Sequence, residues 1–183
     1  MKVSTLNLDE EYRYLLEKEF PTTPILHARL ADLNDYILAQ VEAVFTYGYD
    51  LTPAMVNRME RLKWVHIGQS GMETLPIDLL KEKGVFITNS RGINAPTISE
   101  YVLSAMLNIV RKSFVFADRA RQKVWDAETT VDELLGKTVG IFGLGMVGRE
   151  VAKRAKAFDM TVLGVDVFSG EVPFVDKCYP PEQ

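Results

Sequence analysis

The 183-residue sequence holds only one cysteine and two histidines, and it has no run of basic residues. A single cysteine, Cys178, forms no disulfide within the chain, and so little cysteine and histidine argues against a zinc cluster. The net charge of −4 lacks the basic footprint that nucleic-acid binding requires. These absences argue against disulfide chemistry, metal sites and nucleic-acid partners, and they favour a small-molecule partner.

Long apolar runs are also missing from the chain. No window approaches the ~20 consecutive apolar residues that a membrane helix needs. The N-terminus lacks the apolar core and the small-residue cleavage site of a signal peptide. We therefore expect a cytoplasmic protein without a membrane partner. Its 47% hydrophobic and 25% charged residues are typical of a globular protein that buries a core.

Short apolar runs alternate with helical stretches in the first half of the chain, which predicts an α/β fold. A helix is expected after Asn7, which serves as its cap, and another after Thr52-Pro53, which pairs a capping hydroxyl with proline. A third helix is expected to close at Gly84. Together these elements predict one β/α domain over residues 1–95. Its strands are predicted at 2–6, 25–28, 43–46, 64–67 and 85–88.

A long helix is predicted after Asn94-Ala95-Pro96. Thr97 and Glu100 have the spacing of a capping box at its start. The helix is interpreted as a connector between domains, with a plain core helix as the alternative, and a short helix is expected later at 130–135. Residues 96–183 are thus predicted to form this helix and a second domain. The apolar stripe of the long helix is predicted at Ile98, Tyr101, Val102, Ala105, Met106, Ile109 and Val110.

A glycine-rich motif lies between a predicted strand and a predicted helix of the second domain. Gly143 is expected to allow a tight turn, and Gly145 to let the backbone approach a pyrophosphate. Gly148 is expected to let the helix pack close to the strand. The N–H groups of Met146 and Val147 would then face the phosphates at the positive end of the helix dipole. This arrangement predicts a dinucleotide site.

An acidic residue at the end of the next predicted strand completes the motif. Asp166 lies 18 residues after Gly148, close to the spacing expected of a ribose-binding carboxylate. Such a carboxylate repels the 2′-phosphate of NADP, and no basic residue follows in 167–170, so NAD is favoured. The alternative is a tight turn with a solvated aspartate. The inner face of the intervening helix is predicted at Val147, Val151, Ala155 and Phe158.

Three further motifs accompany the glycine-rich motif Gly143-Leu144-Gly145-Met146-Val147-Gly148. They are Gly68-Gln69-Ser70-Gly71-Met72-Glu73, Thr88-Asn89-Ser90-Arg91-Gly92, and Glu100 near the start of the long helix. With these motifs in this order, the sequence resembles the D-isomer-specific 2-hydroxyacid dehydrogenases, which include phosphoglycerate dehydrogenase and glyoxylate/hydroxypyruvate reductases. The resemblance covers essentially the whole chain. It implies a flavodoxin-like substrate-binding domain followed by the first part of a Rossmann NAD-binding domain, and hydride transfer between NAD and a D-2-hydroxy acid.

The resemblance also implies a substrate site in the loop after the fourth strand. There the backbone amides of Ser70, Gly71 and Met72 would hold the substrate carboxylate as an anion nest. The family usually has aspartate two residues after this glycine, whereas Glu73 stands here, so the substrate preference stays open. A turn without a ligand is the alternative. Arg91 is a further candidate for the anionic substrate, with an ordinary surface role as its alternative.

The catalytic groups that the resemblance implies are a histidine paired with an acid, and an arginine, all from a later part of the nucleotide domain. None of these three positions occurs before the end of this chain at Gln183. His27 and His66 lie in predicted strands and are expected to be structural, hydrogen-bonded histidines. The resemblance therefore implies a truncated form without the catalytic arginine, glutamate and histidine.

Two consequences are expected of such a form. A Rossmann domain has about six strands, and only two are predicted here, so we expect an inactive chain of low stability or a homodimer through the long helix. The alternative function is a non-catalytic NAD-binding or dimerisation module. The sequence leaves open which hydroxy acid is the substrate.

Overall fold

A computed structural model describes residues 1–167 and 170–182. The chain forms two compact units, Met1–Ile93 and Asn94–Gln183. Each unit contains a parallel β-sheet with helices, so the predicted α/β class is confirmed. Within the described residues, no helix combines the length and the apolar character needed to cross a membrane.

Five parallel strands form the sheet of the first unit, in the order β2-β1-β3-β4-β5. This order is that of flavodoxin-like folds, as predicted. The strands are β1 (Lys2–Ser4), β2 (Ile25–His27), β3 (Ala43–Thr46), β4 (Trp64–Ile67) and β5 (Phe86–Asn89). The helices are α1 (Glu10–Glu19), α2 (Asp35–Leu38), α3 (Pro53–Arg58) and α4 (Ile77–Glu82), with a 3₁₀ turn at Leu30–Asp32.

The core of the first unit includes one buried valine from each of its three central strands. Val3, Val44 and Val65 are in register on β1, β3 and β4, and all three are fully buried. Leu80 of α4 and Val56 of α3 pack in the same cluster. Each such side chain contributes roughly 1.5–3 kcal/mol on burial. This cluster holds the strand ends, and hence the loops that follow them, in fixed positions.

Two helix starts in this unit, after Thr52 and after Asp9, test the caps that were predicted from local sequence. The cap predicted at Thr52 is confirmed, because its Oγ1 accepts a hydrogen bond from the N–H of Met55 at 3.3 Å. The cap predicted at Asn7 is wrong: α1 begins at Glu10 after Asp9, which makes no capping hydrogen bond from its side chain. Asn7 is separated from this start by two residues, too far for its side chain to cap the first turn.

The second unit has a three-stranded parallel sheet in the order β6-β7-β8. These strands, in sequence order, match strands 1 to 3 of the Rossmann order. Only two of them were predicted, because the third has three residues with a cysteine at its centre and no alternating pattern. The elements are β6 (Thr138–Phe142), β7 (Thr161–Val165), β8 (Lys177–Tyr179), α5 (Ala95–Val110), α6 (Ser113–Arg121) and α7 (Met146–Lys156).

The long helix α5 begins earlier than the predicted capping box at Thr97. It starts at Ala95 with Pro96 in its first turn, where a missing N–H leaves no hydrogen bond unmade. Ser99 is buried, and its Oγ donates to the carbonyl oxygen of Pro96 at 2.7 Å. The Glu100 carboxylate instead contacts Arg154 at 3.5 Å. The capping-box prediction is therefore wrong.

Helix α5 follows its predicted stripe only in part: Val102, Met106 and Val110 pack against the core of the second unit. Its Leu103, which the stripe omitted, is buried in the core of the second unit with Val151 and Ala155 of α7. Two stripe residues, Tyr101 and Ile109, are 76% and 73% exposed. Within the second unit α5 is thus a core helix that packs on α7, with apolar residues left on its outer side.

Two further local predictions in this unit need correction. The chain at 130–135 is a loop that buries Leu134, and no helix forms there. On α7, Val147 is 36% exposed, and Phe158 lies beyond the end of the helix at Lys156 and is 39% exposed. Val151 and Ala155 of the predicted inner face are buried as predicted, and Gly148 and Ala152 complete the face in place of Val147 and Phe158. The buried residues of α7 are Gly148, Val151, Ala152 and Ala155.

Candidate cofactor and substrate sites

The glycine-rich loop joins β6 to α7 in a tight turn. Gly143 has φ +90°, a conformation that favours glycine, and its N–H donates to the carbonyl oxygen of Val165 at 2.8 Å. A Cβ on Gly148 would overlap the carbonyl oxygen of Gly143 and lie 3.1 Å from its carbonyl carbon. Helix and strand approach so closely that this position admits only glycine. The roles predicted for these two glycines agree with this geometry.

The middle glycine differs from the other two. A Cβ on Gly145 would meet no protein atom within 4 Å, and its φ of −71° suits any residue. Gly145 is the N-cap of α7, and no side chain among the described residues caps this helix. The N–H groups of its first turn, which include those of Met146 and Val147, have no partner within the helix. Open space therefore lies where an anionic group can approach these donors.

The acidic residue predicted to bind ribose lies at this loop. Asp166 follows β7, and its Oδ2 accepts a hydrogen bond from the N–H of Leu144 at 2.6 Å. Its own N–H donates to the carbonyl oxygen of Tyr179 at 3.1 Å, so β8 holds its backbone. The structure thus brings the carboxylate and the glycine loop together. Of the residues used to favour NAD over NADP, Phe168 and Ser169 lie outside the described residues.

Two residues at this loop were not among the sequence predictions. Arg149, in the first turns of α7, donates from Nε to the carbonyl oxygen of Leu144 at 2.8 Å. Gly164 of β7 lies against the Leu144 side chain, which is 3% exposed. A glycine inside a strand signals close approach of another group, and this was the available sequence signal.

The candidate substrate loop follows β4 in the first unit. Ser70 is exposed, and Gly71 and Met72 are half-buried, with Met72 packed against the core. Among the described residues, the N–H groups of Ser70, Gly71 and Met72 have no hydrogen-bond acceptor. Three consecutive N–H groups without an acceptor suit an anion. The Glu73 carboxylate lies against Gly71, at the place where a Cβ of that residue would be.

Neighbouring loops fix the backbone of this segment. Asn89, at the end of β5, donates from Nδ2 to the carbonyl oxygen of Ser70 at 2.6 Å. Gln69 donates from Nε2 to the carbonyl oxygen of Tyr47, in the loop after β3, at 2.9 Å. Sequence reasoning missed Gln69 and Asn89 as supporting residues. The signal was that parallel strands bring their carboxyl ends to one edge of a sheet.

The two histidines and Arg91 are the remaining candidate residues. His66 contacts Thr88 Oγ1 at 2.9 Å and Ser90 Oγ at 3.2 Å, and burial lowers its pKa. Burial lowers the pKa of His27 as well, with a smaller contribution from Arg13, but its buried Nδ1 has no hydrogen-bond partner among the described residues, contrary to expectation. Arg91 is exposed and forms no ion pair within the described part of the chain.

A cavity of about 630 Å³ in the first unit lies between α1 and the sheet. Its exposed lining is largely aromatic and aliphatic, with Phe45, Trp64 and Phe20 among its residues, and its polar lining residues present little polar surface to it. It includes neither Ser70 nor Gly71. A carboxylate substrate needs polar donors, so this cavity is not the candidate substrate site.

Comparison with protein families finds a match in the second unit. Residues 103–179 match the family described as D-isomer specific 2-hydroxyacid dehydrogenase, NAD binding domain. The predicted cofactor class, NAD, agrees with that description.

Two curated proteins illustrate the similarity over more of the chain. Hydroxypyruvate reductase of Thermotoga maritima is 32% identical over 117 residues, which are 63% of this chain and 38% of that protein. D-3-phosphoglycerate dehydrogenase of Bacillus subtilis is 30% identical over 158 residues, which are 86% of this chain and 30% of that protein. The chain therefore spans well under two thirds of the length of these relatives.

Solved structures share the fold of both units. D-lactate dehydrogenase from Aquifex aeolicus, complexed with NAD and lactic acid, aligns with a TM-score of 0.78 at 23% identity. A D-isomer specific 2-hydroxyacid dehydrogenase family protein from Aeromonas salmonicida aligns with a TM-score of 0.83 at 24% identity. Both alignments cover 98% of this chain, and they cover 55% and 57% of those chains.

Proposed function

Because the chain belongs to the D-isomer-specific 2-hydroxyacid dehydrogenase family, we propose that its second unit binds NAD at the loop Gly143–Gly148. The observation that carries this proposal is the open N-terminus of α7 beside the Asp166 carboxylate. The first-turn N–H groups, including those of Met146 and Val147, bind the pyrophosphate, and Asp166 accepts hydrogen bonds from the ribose hydroxyls. The same carboxylate disfavours NADP.

A substitution at Gly145 tests this site without disturbing the fold. Since a Cβ there meets no protein atom, Gly145→Val should leave the thermal melting temperature within a few degrees of wild type. The valine side chain would stand where the pyrophosphate approaches, so we expect NAD affinity to fall at least ~10-fold, which is about 1.4 kcal/mol. Calorimetric titration with NAD measures the change. Equal affinity in the two proteins would remove the proposed cofactor site.

We further propose that Ser70, Gly71 and Met72 hold the carboxylate of a 2-hydroxy or 2-oxo acid in the first unit. The support is three consecutive N–H groups that have no acceptor within the described residues. The Glu73 carboxylate lies beside these N–H groups and carries the same charge as the substrate carboxylate. Substrate binding therefore requires the Glu73 side chain to move aside. The flexible glutamate chain permits such movement.

Removing the Glu73 charge should therefore strengthen carboxylate binding. We expect Glu73→Gln to lower the dissociation constant of hydroxypyruvate about 3-fold, consistent with the ~1 kcal/mol or less of an exposed charge pair. Amide chemical shifts of residues 70–72 report binding in an NMR titration. Glu60→Gln, which removes an exposed charge elsewhere in the unit, is the matched control. A Glu73→Gln protein that binds more weakly than wild type would argue against this carboxylate site.

The proposed reaction is hydride transfer between NAD and the C2 atom of a D-2-hydroxy acid. It requires a base for the hydroxyl proton and a cation for the carbonyl oxygen. The arginine, acid and histidine implied by the family have no counterpart among these 183 residues, so we propose that a form containing them performs the reaction and that this chain alone is inactive. The cytoplasmic location expected from the sequence stays a prediction.

The second candidate function is a non-catalytic NAD-binding or dimerisation module. The observation that favours it is the outer side of α5, where Ile98, Tyr101 and Ile109 are 42%, 76% and 73% exposed. Residues at this spacing form one apolar stripe on a helix. Such a stripe suits the same helix of a second copy, which gives a two-fold symmetric homodimer.

A charge on this stripe should separate the two copies. We expect light scattering to give a dimer mass for wild type and the monomer mass of 20.7 kDa for Ile109→Asp. Burying an unpaired carboxylate in an apolar interface costs several kcal/mol. Lys123→Asp, outside α5, should keep the dimer mass. A wild-type protein that is monomeric at 100 μM would contradict the proposal.

A further inference from the structure

Leu144 lies at the centre of the glycine-rich loop and is fixed by three separate contacts. Its N–H donates to Asp166 Oδ2 at 2.6 Å, and its carbonyl oxygen accepts from Arg149 Nε at 2.8 Å. Its side chain is 3% exposed. Both hydrogen bonds involve a charged partner, and such bonds are roughly twice as strong as neutral ones.

The third contact is between the Leu144 side chain and strand β7. Gly164 of β7 has no side chain, and the Leu144 side chain fills this space. A Cβ on Gly164 would lie 2.6 Å from Leu144 Cδ1 and 3.1 Å from Cδ2. Any other residue at 164 would therefore push Leu144 outward. The need for glycine here comes from the Leu144 side chain, because Gly164 lies in regular strand conformation.

The two peptide groups that flank Leu144 join it to Gly143 and Gly145, so these contacts set the path of the loop before a ligand arrives. From this geometry we infer that Leu144 is the anchor that presets the cofactor loop, and that Gly164 and Arg149 are positioning residues that act through it. The inference rests on the proposed NAD site and deepens it. In a preset loop the amides of α7 need no ordering on binding, which increases affinity.

A pair of glycine substitutions tests the anchor. Gly164→Ala forces the new methyl group onto Leu144, whereas Gly140→Ala adds the same methyl group to the adjacent strand β6 in open space. We expect Gly164→Ala to raise the dissociation constant of NAD at least 10-fold and Gly140→Ala to change it less than 2-fold. Equal effects of the two substitutions would overturn the inference.

A double variant separates loop position from folding. Leu144→Ala removes the atoms that the new methyl group would meet, so Leu144→Ala/Gly164→Ala should melt at a higher temperature than Gly164→Ala alone. Its NAD affinity should stay at least 10-fold below wild type, because the anchor is gone. Recovery of wild-type affinity in the double variant would show that Leu144 does not preset the loop.

Arg149 requires a test that distinguishes position from charge. Arg149→Met should weaken NAD binding about 10-fold without changing the dependence of affinity on salt concentration, and Arg149→Lys should recover part of it. Lys153→Met, which removes an exposed charge one turn further along α7, is the matched control and should change affinity less than 2-fold. A lower salt dependence in Arg149→Met would mean that the residue contacts the cofactor phosphates by its charge, against the inference.

Hydrogen exchange in the absence of NAD keeps this inference separate from the proposed function. The Leu144 amide should be protected in wild type and exchange at least 10-fold faster in Gly164→Ala. If the Leu144 amide is protected in a protein that binds no NAD, this result would contradict the proposed function but support the role of Leu144 as an anchor. An unprotected Leu144 amide in wild type would overturn the anchor itself.

Discussion

Gly148→Ala should destabilise the second unit, although alanine is the better helix former by about 1 kcal/mol. The added methyl group overlaps the carbonyl oxygen of Gly143, where α7 crosses the end of β6. Forcing a group into such a contact costs about 1–3 kcal/mol, so the tertiary clash should exceed the gain in helix propensity. The loop must also shift outward, and NAD affinity should fall by more than 10-fold.

Gly145→Ala is the control for this prediction. It adds the same methyl group three residues earlier, in open space, and should leave the melting temperature unchanged. Thermal unfolding of the two variants beside wild type makes the comparison. A Gly148→Ala protein that melts at or above the wild-type temperature would show that helix and strand do not approach as closely as described.

Asp166→Asn should change the choice between NAD and NADP. The asparagine side chain still offers an oxygen to the N–H of Leu144, so the loop should keep its path. Its missing charge no longer repels a 2′-phosphate, and it accepts weaker hydrogen bonds from ribose hydroxyls. We expect the ratio of NADP affinity to NAD affinity to rise at least 10-fold. Asp166→Ala should in addition weaken both cofactors, because Leu144 loses its acceptor.

Asp176→Asn provides a matched comparison in the same unit. Its Oδ2 accepts the N–H of Val162 at 2.7 Å, and this bond, with a smaller contribution from Lys156, lowers the pKa of the carboxyl. It too is an aspartate bound to a backbone N–H, but it serves the start of β7 rather than the glycine loop. Titration of both variants with both cofactors should change the ratio only for Asp166→Asn. An unchanged ratio at Asp166 would remove its role in cofactor choice.

The sequence alone was sufficient to predict structure where neighbouring residues determine it. The glycine loop combines a turn, a helix start and an acid at a fixed spacing, and each part is readable from neighbouring residues. Thr52 capped its helix for the same reason. The parallel sheets followed from the alternation of apolar runs and helical stretches.

Contacts between distant residues could not be read in this way. Arg149 has the spacing of an outer-face residue, and only the fold brings its Nε to Leu144. The glycine at position 164 of β7 signals the close approach of another group, but only the fold shows that this group is the Leu144 side chain. The prediction that the long helix begins only after Pro96 was wrong, because proline is tolerated in the first turn of a helix and breaks it only further along. Strand β8 was missed because its partner β7, rather than its own pattern, makes it a strand.

The NAD site itself is tested most directly by an NMR titration of the ¹⁵N-labelled chain with NAD. The largest amide shifts are expected at Gly145, Met146 and Val147, with a further shift at Asp166 and little change in the first unit. No shift at millimolar NAD, or shifts that cluster away from the loop Gly143–Gly148, would contradict the proposed site.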